Sequence, residues 1–355
     1  MVYGHMLQFW IRPEDFWLKF WLYAFLAPIG ATGFLFISGA SATLAYRNNL
    51  QTQKVMMKTF RNTYLLRGLF ILIIGLFFNF GVAMVFGGGD LTDIWSWNAL
   101  QTIGVCLLLL WPVLKTSKII RVILGTIVFL LNHYLLTVLS PYIGQPDLLG
   151  FLYHLLFNPI DAYVILNYYG VVVIGSVIGE YLFKLKNVDD LKKKEFFLSH
   201  RAIMYSFGIG IGILIFAVLF QFPDFITFNT ISSILYALGI ILAGLAVLII
   251  MEVFEVIKTK KSYKFLYFYS YYSFTIFLGH NVFLLFFIGM LDAYFTIWLV
   301  VAMFNIIILF LLRAMHNKLG WKVSVKALVS MVSAFIALKI EKKYYTEVEI
   351  AEQKS

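Results

Sequence analysis

The chain is a succession of long apolar runs separated by short polar loops. A helix needs about 20 apolar residues to cross the hydrocarbon core of a bilayer. Runs of that kind lie near 20–44, 65–86, 97–114, 119–139, 164–183, 202–221, 230–251, 265–289 and 293–312. They predict nine transmembrane helices. A tenth stretch, 327–338 (ALVSMVSAFIAL), is shorter and is bounded by Lys326 and Lys339, which predicts an interfacial helix on the cytoplasmic surface. The expected fold is all-α, a polytopic integral membrane helical bundle. It has about nine full transmembrane helices, a partial N-terminal helix and a short interfacial C-terminal helix. Residues 1–313 form the transmembrane domain and 314–355 the interfacial helix and tail.

The charges then orient the runs. Basic residues follow the first run (Arg47, Lys54, Lys58, Arg61), the third (Lys115, Lys118, Arg121) and the fifth (Lys184, Lys186, Lys192, Lys193, Lys194, Arg201). They also follow the seventh (Lys258, Lys260, Lys261, Lys264) and the ninth (Arg313, Lys318, Lys322, Lys326). The loops between, 87–96, 141–163, 222–229 and 290–292, contain no Lys or Arg. Cytoplasmic loops carry the excess of Lys and Arg, so the odd loops and the C-terminus are expected inside, in a cell membrane. Residues 1–17 are then expected outside. MVYGHMLQFWI reads as the last two turns of a helix climbing outward, so either the N-terminus lies outside or a preceding helix is absent from this chain. The outer loop 141–163 is semi-apolar and is expected to fold back onto the membrane surface.

Composition changes the picture only by exclusion. The chain is 61% hydrophobic, 18% aromatic and 13% charged, with a mean hydropathy of +0.87. Soluble domains carry about 25% charged residues, so soluble enzymes, disordered chains and nucleic-acid binders are excluded. The net charge of +10 is accounted for by the topology signals. Cys106 is the single cysteine, which leaves no intramolecular disulfide and no cysteine-based metal site. The N-terminus has no basic region or small-residue cleavage site, so no cleavable signal peptide is expected.

Six histidines are the main candidates for chemistry. His200 and His316 fall in basic cytoplasmic loops and are expected to be solvated. His5, His133, His154 and His280 all lean to the extracytoplasmic side in the predicted topology. Ionisable groups at membrane depth are costly and mark functional sites, and an imidazole suits general-base removal of a proton from a hydroxyl or amine. The bland alternative is a neutral imidazole bonded to a neighbouring helix. No i,i+4 histidine spacing favours zinc, and no metal is expected. Asn79, Asn98, Gln101, Asn167, Glu180 and Asn305 are further intramembrane polar groups. Glu180 is expected to pair with Lys184 one turn on. Gly175/Gly179 and Gly208/Gly212 read as helix-packing signals. Arg67 either snorkels to the cytoplasmic interface or, with Arg61, grips a phosphorylated ligand.

Several segments together resemble the heparan-α-glucosaminide N-acetyltransferase-like family of transmembrane acyltransferases. They are APIGATGFLFISGASATLAYRNN (27–49), FRNTYLLRGLFILIIGLFFNFG (60–81) and IWSWNALQTIGVCLLLL (94–110). Further on come HLLFNPIDAYVILNYYGVVVIGSVIGEYLF (154–183) and FYSYYSFTIFLGHNVFLLF (268–286). The resemblance covers residues 1–312. It implies transfer of an acetyl group from cytoplasmic acetyl-CoA, as co-substrate, to a glycan or amino-sugar acceptor across the lipid bilayer. It also implies that His5 stands where the family's first helix ends in a histidine, making His5 the candidate base. The Asp-x-x-Arg-Gly motif and the cytoplasmic Arg that open the family's first helix have no counterpart here, in keeping with an absent upstream helix.

The expected site follows. Arg47, Arg61 and Arg67 would hold the phosphates of the coenzyme, with Asn79 and Asn98 beside them as donors to the thioester oxygen. His5, assisted by His280 or His154, would deprotonate the acceptor. Homodimerisation is compatible with this reading, and no nucleic-acid partner is expected. The alternatives are a transporter or flippase for a lipid or small polar solute, for which no inverted repeat is present, and a structural membrane subunit.

Overall fold

The computed structural model describes residues 2–86, 94–158, 164–188, 202–222, 230–254, 264–283 and 286–354. Over these residues the chain is helical, and its one β-type pairing is an isolated bridge between Ile11 and Leu291. In chain order the helices are α1 (Val2–Trp10), α2 (Phe16–Thr52), α3 (Met57–Phe86), α4 (Ala99–Val113) and α5 (Lys118–Leu139). Then come α6 (Leu148–Phe157), α7 (Ile165–Lys186), α8 (Ala202–Phe220) and α9 (Ile231–Val253). The last four are α10 (Lys264–Tyr271), α11 (Ser273–Phe283), α12 (Thr296–Leu319) and α13 (Val325–Lys354).

Among the described residues six helical segments are long and apolar enough to cross a membrane, against the nine expected. They are Ile29–Thr52, Met57–Gly81, Lys118–Tyr142, Ile165–Lys186, Ile231–Val253 and Thr296–Lys342. The shortfall has local causes. The run at 97–114 becomes a 15-residue helix, α4, because Asn98 caps its start with a capping box to Gln101. The run at 265–289 is interrupted at Tyr272 into α10 and α11. The run at 202–221 gives α8, whose described apolar part, Tyr205–Phe220, is shorter than a full span. The C-terminal element is also longer than expected: the 327–338 stretch lies inside the 30-residue α13. The loop at 141–163 does contain a short helix, α6, capped by Asp147 on the Gly150 N–H.

The chain divides into two compact units, one of residues 1–30 and 258–332 and one of residues 31–257 and 333–355. In the larger unit α7 is central. Tyr168, Val171, Val172 and Val173 are fully enclosed, whereas α5 and α8 present Ile123, Ile127, Leu130, Ile215 and Leu219 outward. Apolar burial distinguishes these faces little in a bilayer, because lipid tails are as apolar as leucine; helices associate where their backbones approach closely. Glycine makes that approach at each main seam. A Cβ on Gly175 of α7 would lie 2.1 Å from the Phe36 carbonyl oxygen of α2, and one on Gly39 of α2 would lie 2.0 Å from the Val172 carbonyl oxygen. Gly104 of α4 abuts the Leu72 backbone of α3, and Gly210 of α8 abuts Gly239 of α9.

Gly175 and Gly179 therefore pack as expected, but Gly208 and Gly212 do not. A Cβ added at either would meet nothing from another element within 4 Å, and Gly210 is the α8 residue that faces α9. Gly175→Ala should destabilise the detergent-solubilised protein by about 1–3 kcal/mol through overpacking, while Gly212→Ala should leave it unchanged or slightly stabilised. Thermal unfolding of the two variants checks this; equal melting temperatures would contradict the packing described.

Candidate active site

In the smaller unit, α1 has nine residues, too few to persist as an isolated helix in water. Packing holds it. Met6, Leu7, Trp10 and Ile11 are buried in one cluster with Tyr272, Leu291 and Ile297, Val301, Ile308 and Leu312 of α12. Trp10 meets the rings of Phe287 and Phe304 edge-on, with centroids 5.3 and 5.1 Å away. At the end of α1 and just past it the backbone pairs with the segment after α11. The Gly289 N–H donates to Phe9 O, the Leu291 N–H to Trp10 O, and the Arg12 N–H to Leu291 O, at 2.9 to 3.0 Å. Gly289 has φ +65°, a conformation that glycine adopts without steric cost. Asp292 then accepts from the N–H groups of Tyr294 and Phe295 and from the Thr296 hydroxyl, starting α12. Asp15 accepts from the Ala293 N–H.

This framework brings two sequence-distant histidines together. His5 on α1 places its Nδ1 3.0 Å from Nε2 of His280, in the last turn of α11. The ring centroids are 5.0 Å apart and the planes tilted by 48°. His280 is buried, 1% exposed, and its Nδ1 lies 3.1 Å from the Ile276 carbonyl oxygen. His5 is half-buried. Among the described residues neither imidazole is ion-paired with a carboxylate, and no cluster of three His, Cys, Asp or Glu side chains gathers to hold a metal.

The remaining histidines stand elsewhere. His154, on α6, belongs to the larger unit and is half-buried. His133 is exposed on the outward face of α5. His316 was expected to be solvated; instead it is half-buried, its Nδ1 3.1 Å from the Tyr272 hydroxyl, with the rings of Tyr267, Phe268, Tyr271 and Tyr272 around it. His200 lies outside the described residues, as do the lysines of 189–201 and 255–263.

The expected phosphate and carbonyl ligands lie in the larger unit. Arg47 is committed to Glu180: its Nε is 2.8 and 2.9 Å from the two carboxylate oxygens. Glu180 also meets the Arg121 guanidinium at 3.1 Å, so its partners are two arginines on other helices in place of Lys184. Sequence reasoning assigned Arg121 to a cytoplasmic loop, yet it is fully buried. It donates to Val113 O and Leu114 O at the end of α4, to Thr116 O, and to Ser176 O of α7. The signal was available: Ser117 caps α5 and Arg121 follows inside an apolar helix (KIIRVILG), a setting unlike a solvated loop. Arg61 is exposed and bonded to Asn62 Oδ1 alone among the hydrogen bonds described. Arg67, one and a half turns on, is half-buried, and its buried Nε has no hydrogen-bond partner; the buried Tyr64 hydroxyl, one turn before it, has none either.

Asn79 and Asn98 form a closed amide network. Asn79 Nδ2 donates to Ile94 O, Ser96 O and Gln101 Oε1, and Asn98 Nδ2 donates to Gly75 O and Asn79 Oδ1. Asn98 Oδ1 accepts from the N–H groups of Leu100 and Gln101. Both side chains have their donors engaged in joining α3 to the start of α4.

These features define a polytopic α-helical membrane protein with two imidazoles in contact, one buried and one half-buried, and a basic, partly unsatisfied guanidinium group. The model of the family "Heparan-alpha-glucosaminide N-acetyltransferase, catalytic" matches residues 1–207, more than half of the chain, and the chain belongs to that family of membrane acetyltransferases. Comparison with curated proteins and with solved structures found no match.

Two predictions follow from the geometry. Arg121→Met leaves Glu180 with one partner and four carbonyls without their donor, and should cost on the order of 3–5 kcal/mol; a loss below about 1 kcal/mol in thermal unfolding would show that the network is dispensable. Asp292 is held at about 2, below the usual 3.8, by the hydrogen bonds from Thr296 and Phe295. A carboxyl so depressed stabilises the fold above pH ~4 and loses that contribution as pH falls towards ~2. Asp292→Asn should abolish this part of the acid dependence, as read from melting temperatures between pH 5 and pH 2.

Proposed function

We propose that the chain transfers an acetyl group from acetyl-CoA to the amine of an amino sugar, with His5 taking the proton that the amine loses. The contact between His5 and His280 carries the reading. Two imidazoles 275 positions apart meet at 3.0 Å, one of them sealed from solvent, in a family of acetyltransferases. An imidazole is basic enough near neutral pH to accept a proton as the amine attacks, and positioned general bases contribute about 10²–10⁴-fold. The family resemblance supports His5 as the candidate base.

The residues present fit an anionic co-substrate. Arg67 holds a buried, unpartnered Nε–H, and Arg61 offers an exposed guanidinium between one and two turns before it on α3. Guanidinium groups bind phosphate oxygens in a bidentate fork. Acetyl-CoA supplies the activated acyl group and a thiolate that takes up a proton as it leaves. Arg47, held by Glu180, contributes through the fold and not through a free guanidinium. Asn79 and Asn98, with their donors spent, shape the start of α4. The distribution of basic loops supports a cytoplasmic donor and an extracytoplasmic acceptor. His154 remains a candidate on the acceptor side.

The test uses the purified chain in proteoliposomes with acetyl-CoA and glucosamine, following thiol release and the mass of the acetylated sugar. Wild type should turn over. His5→Ala should lose 100-fold or more in kcat, and Arg67→Ala should raise KM for acetyl-CoA with a smaller effect on kcat. His5→Ala at the wild-type rate would overturn the assignment of the base.

A further inference from the structure

The pair of imidazoles has a fixed direction. The Ile276 oxygen is a carbonyl and can only accept, so His280 Nδ1, 3.1 Å away, carries a hydrogen and donates it. A neutral imidazole has one N–H, and so His280 Nε2 is left as an acceptor. The atom facing it at 3.0 Å, His5 Nδ1, must therefore be the donor. That in turn leaves His5 Nε2 as the one nitrogen of the pair with a free lone pair. The hydrogen bond made by one ring nitrogen decides the tautomer at the other; here the rule operates twice in succession, from a helix carbonyl through His280 to His5.

We propose that His280 is a positioning residue that makes Nε2 of His5 the basic atom of the site. The proposal rests on the acetyltransferase reading for its catalytic consequence, but the order of protons does not. In the reaction, the bond from the acceptor nitrogen to the acetyl carbon forms as the carbon–sulfur bond breaks. The proton released from nitrogen goes to His5 Nε2 and then to the thiolate sulfur. While His5 is protonated, its Nδ1–H still donates to His280 Nε2, so the charge is spread along the pair. His280 lies in the last turn of α11, where the negative end of the helix dipole favours a cation. In hydrolytic triads a carboxylate orients the base. Here a neutral ring and a carbonyl do so, and the resting pair carries no net charge.

The order is read directly by ¹⁵N NMR of the full chain labelled at histidine, assigned with His5→Ala and His280→Ala. The expected result is N–H at Nδ1 of both residues and unprotonated Nε2 of both. Protonated Nε2 on His280, or an unprotonated Nδ1 on His5, overturns the proposal whatever the activity. The kinetic arm compares His280→Gln with His280→Leu. Glutamine offers an amide oxygen to His5 Nδ1 and should keep kcat within about tenfold of wild type, with His5 in the same tautomer. Leucine fills the space without an acceptor and should lower kcat 100-fold or more, leaving KM for acetyl-CoA unchanged. Equal rates for the two variants, with both folded by thermal unfolding, would also overturn it. An inactive wild type with the expected tautomers counts against the acetyltransferase reading and leaves the proton order standing.

Discussion

A guanidinium withdrawn from both water and lipid constrains the larger unit more than any apolar contact does. Arg121 is fully buried, and its donors are shared among the end of α4, the turn before α5, and α7. Burying such a cation is costly unless every donor finds an oxygen. The carbonyls at the end of a helix have the complementary deficit, since its last four lack intrahelical partners. Arg121 meets both needs together. Glu180 supplies the countercharge and is itself tied to Arg47 on α2, so one ionic cluster links α2, α5 and α7 and reaches the end of α4. The same logic governs the opposite end of α4, where the Asn79–Asn98–Gln101 amides close its first turn onto α3.

In the smaller unit the equivalent task falls to backbone. A helix as short as α1 is kept in place by the pairing of residues 9–12 with 289–291 and by the Trp10 ring between Phe287 and Phe304. The His5–His280 contact is a consequence of that docking. Neither histidine has a carboxylate to hold it among the described residues, so its position is inherited from the packing beneath.

Much of the helical layout was legible because an apolar run is a property of a single segment. The helix starts at Asn98, Ser117 and Asp147 are equally local, each set by its own cap. What escaped depends on distance. His5 and His280 were each marked as unusual by depth, but nothing in a 275-residue separation says that they touch. Arg121 was read as a topology charge because its partners, Val113, Ser176 and Glu180, are contributed by other elements. Gly208 and Gly212 share one face of α8 and Gly210 lies nearly opposite; the spacing identified a seam but could not say which face had a neighbour. The break at Tyr272 is likewise tertiary, since its hydroxyl is taken by His316 and the Gly320 carbonyl.

The glycine seams carry a consequence for how this protein tolerates change. Where α7 touches α2, a single methyl group has no room, because the atoms it would strike are carbonyl oxygens and not side chains that can turn away. On α5 and α8, at Leu130 and Leu219, the side chain faces outward and one apolar residue does the work of another. Information about the fold is thus concentrated in a few of the smallest residues, while the large side chains that dominate the composition are nearly interchangeable. A chain redesigned by shuffling Leu, Ile, Val and Phe over its outward positions would keep its architecture; one that spared those and replaced three glycines would not.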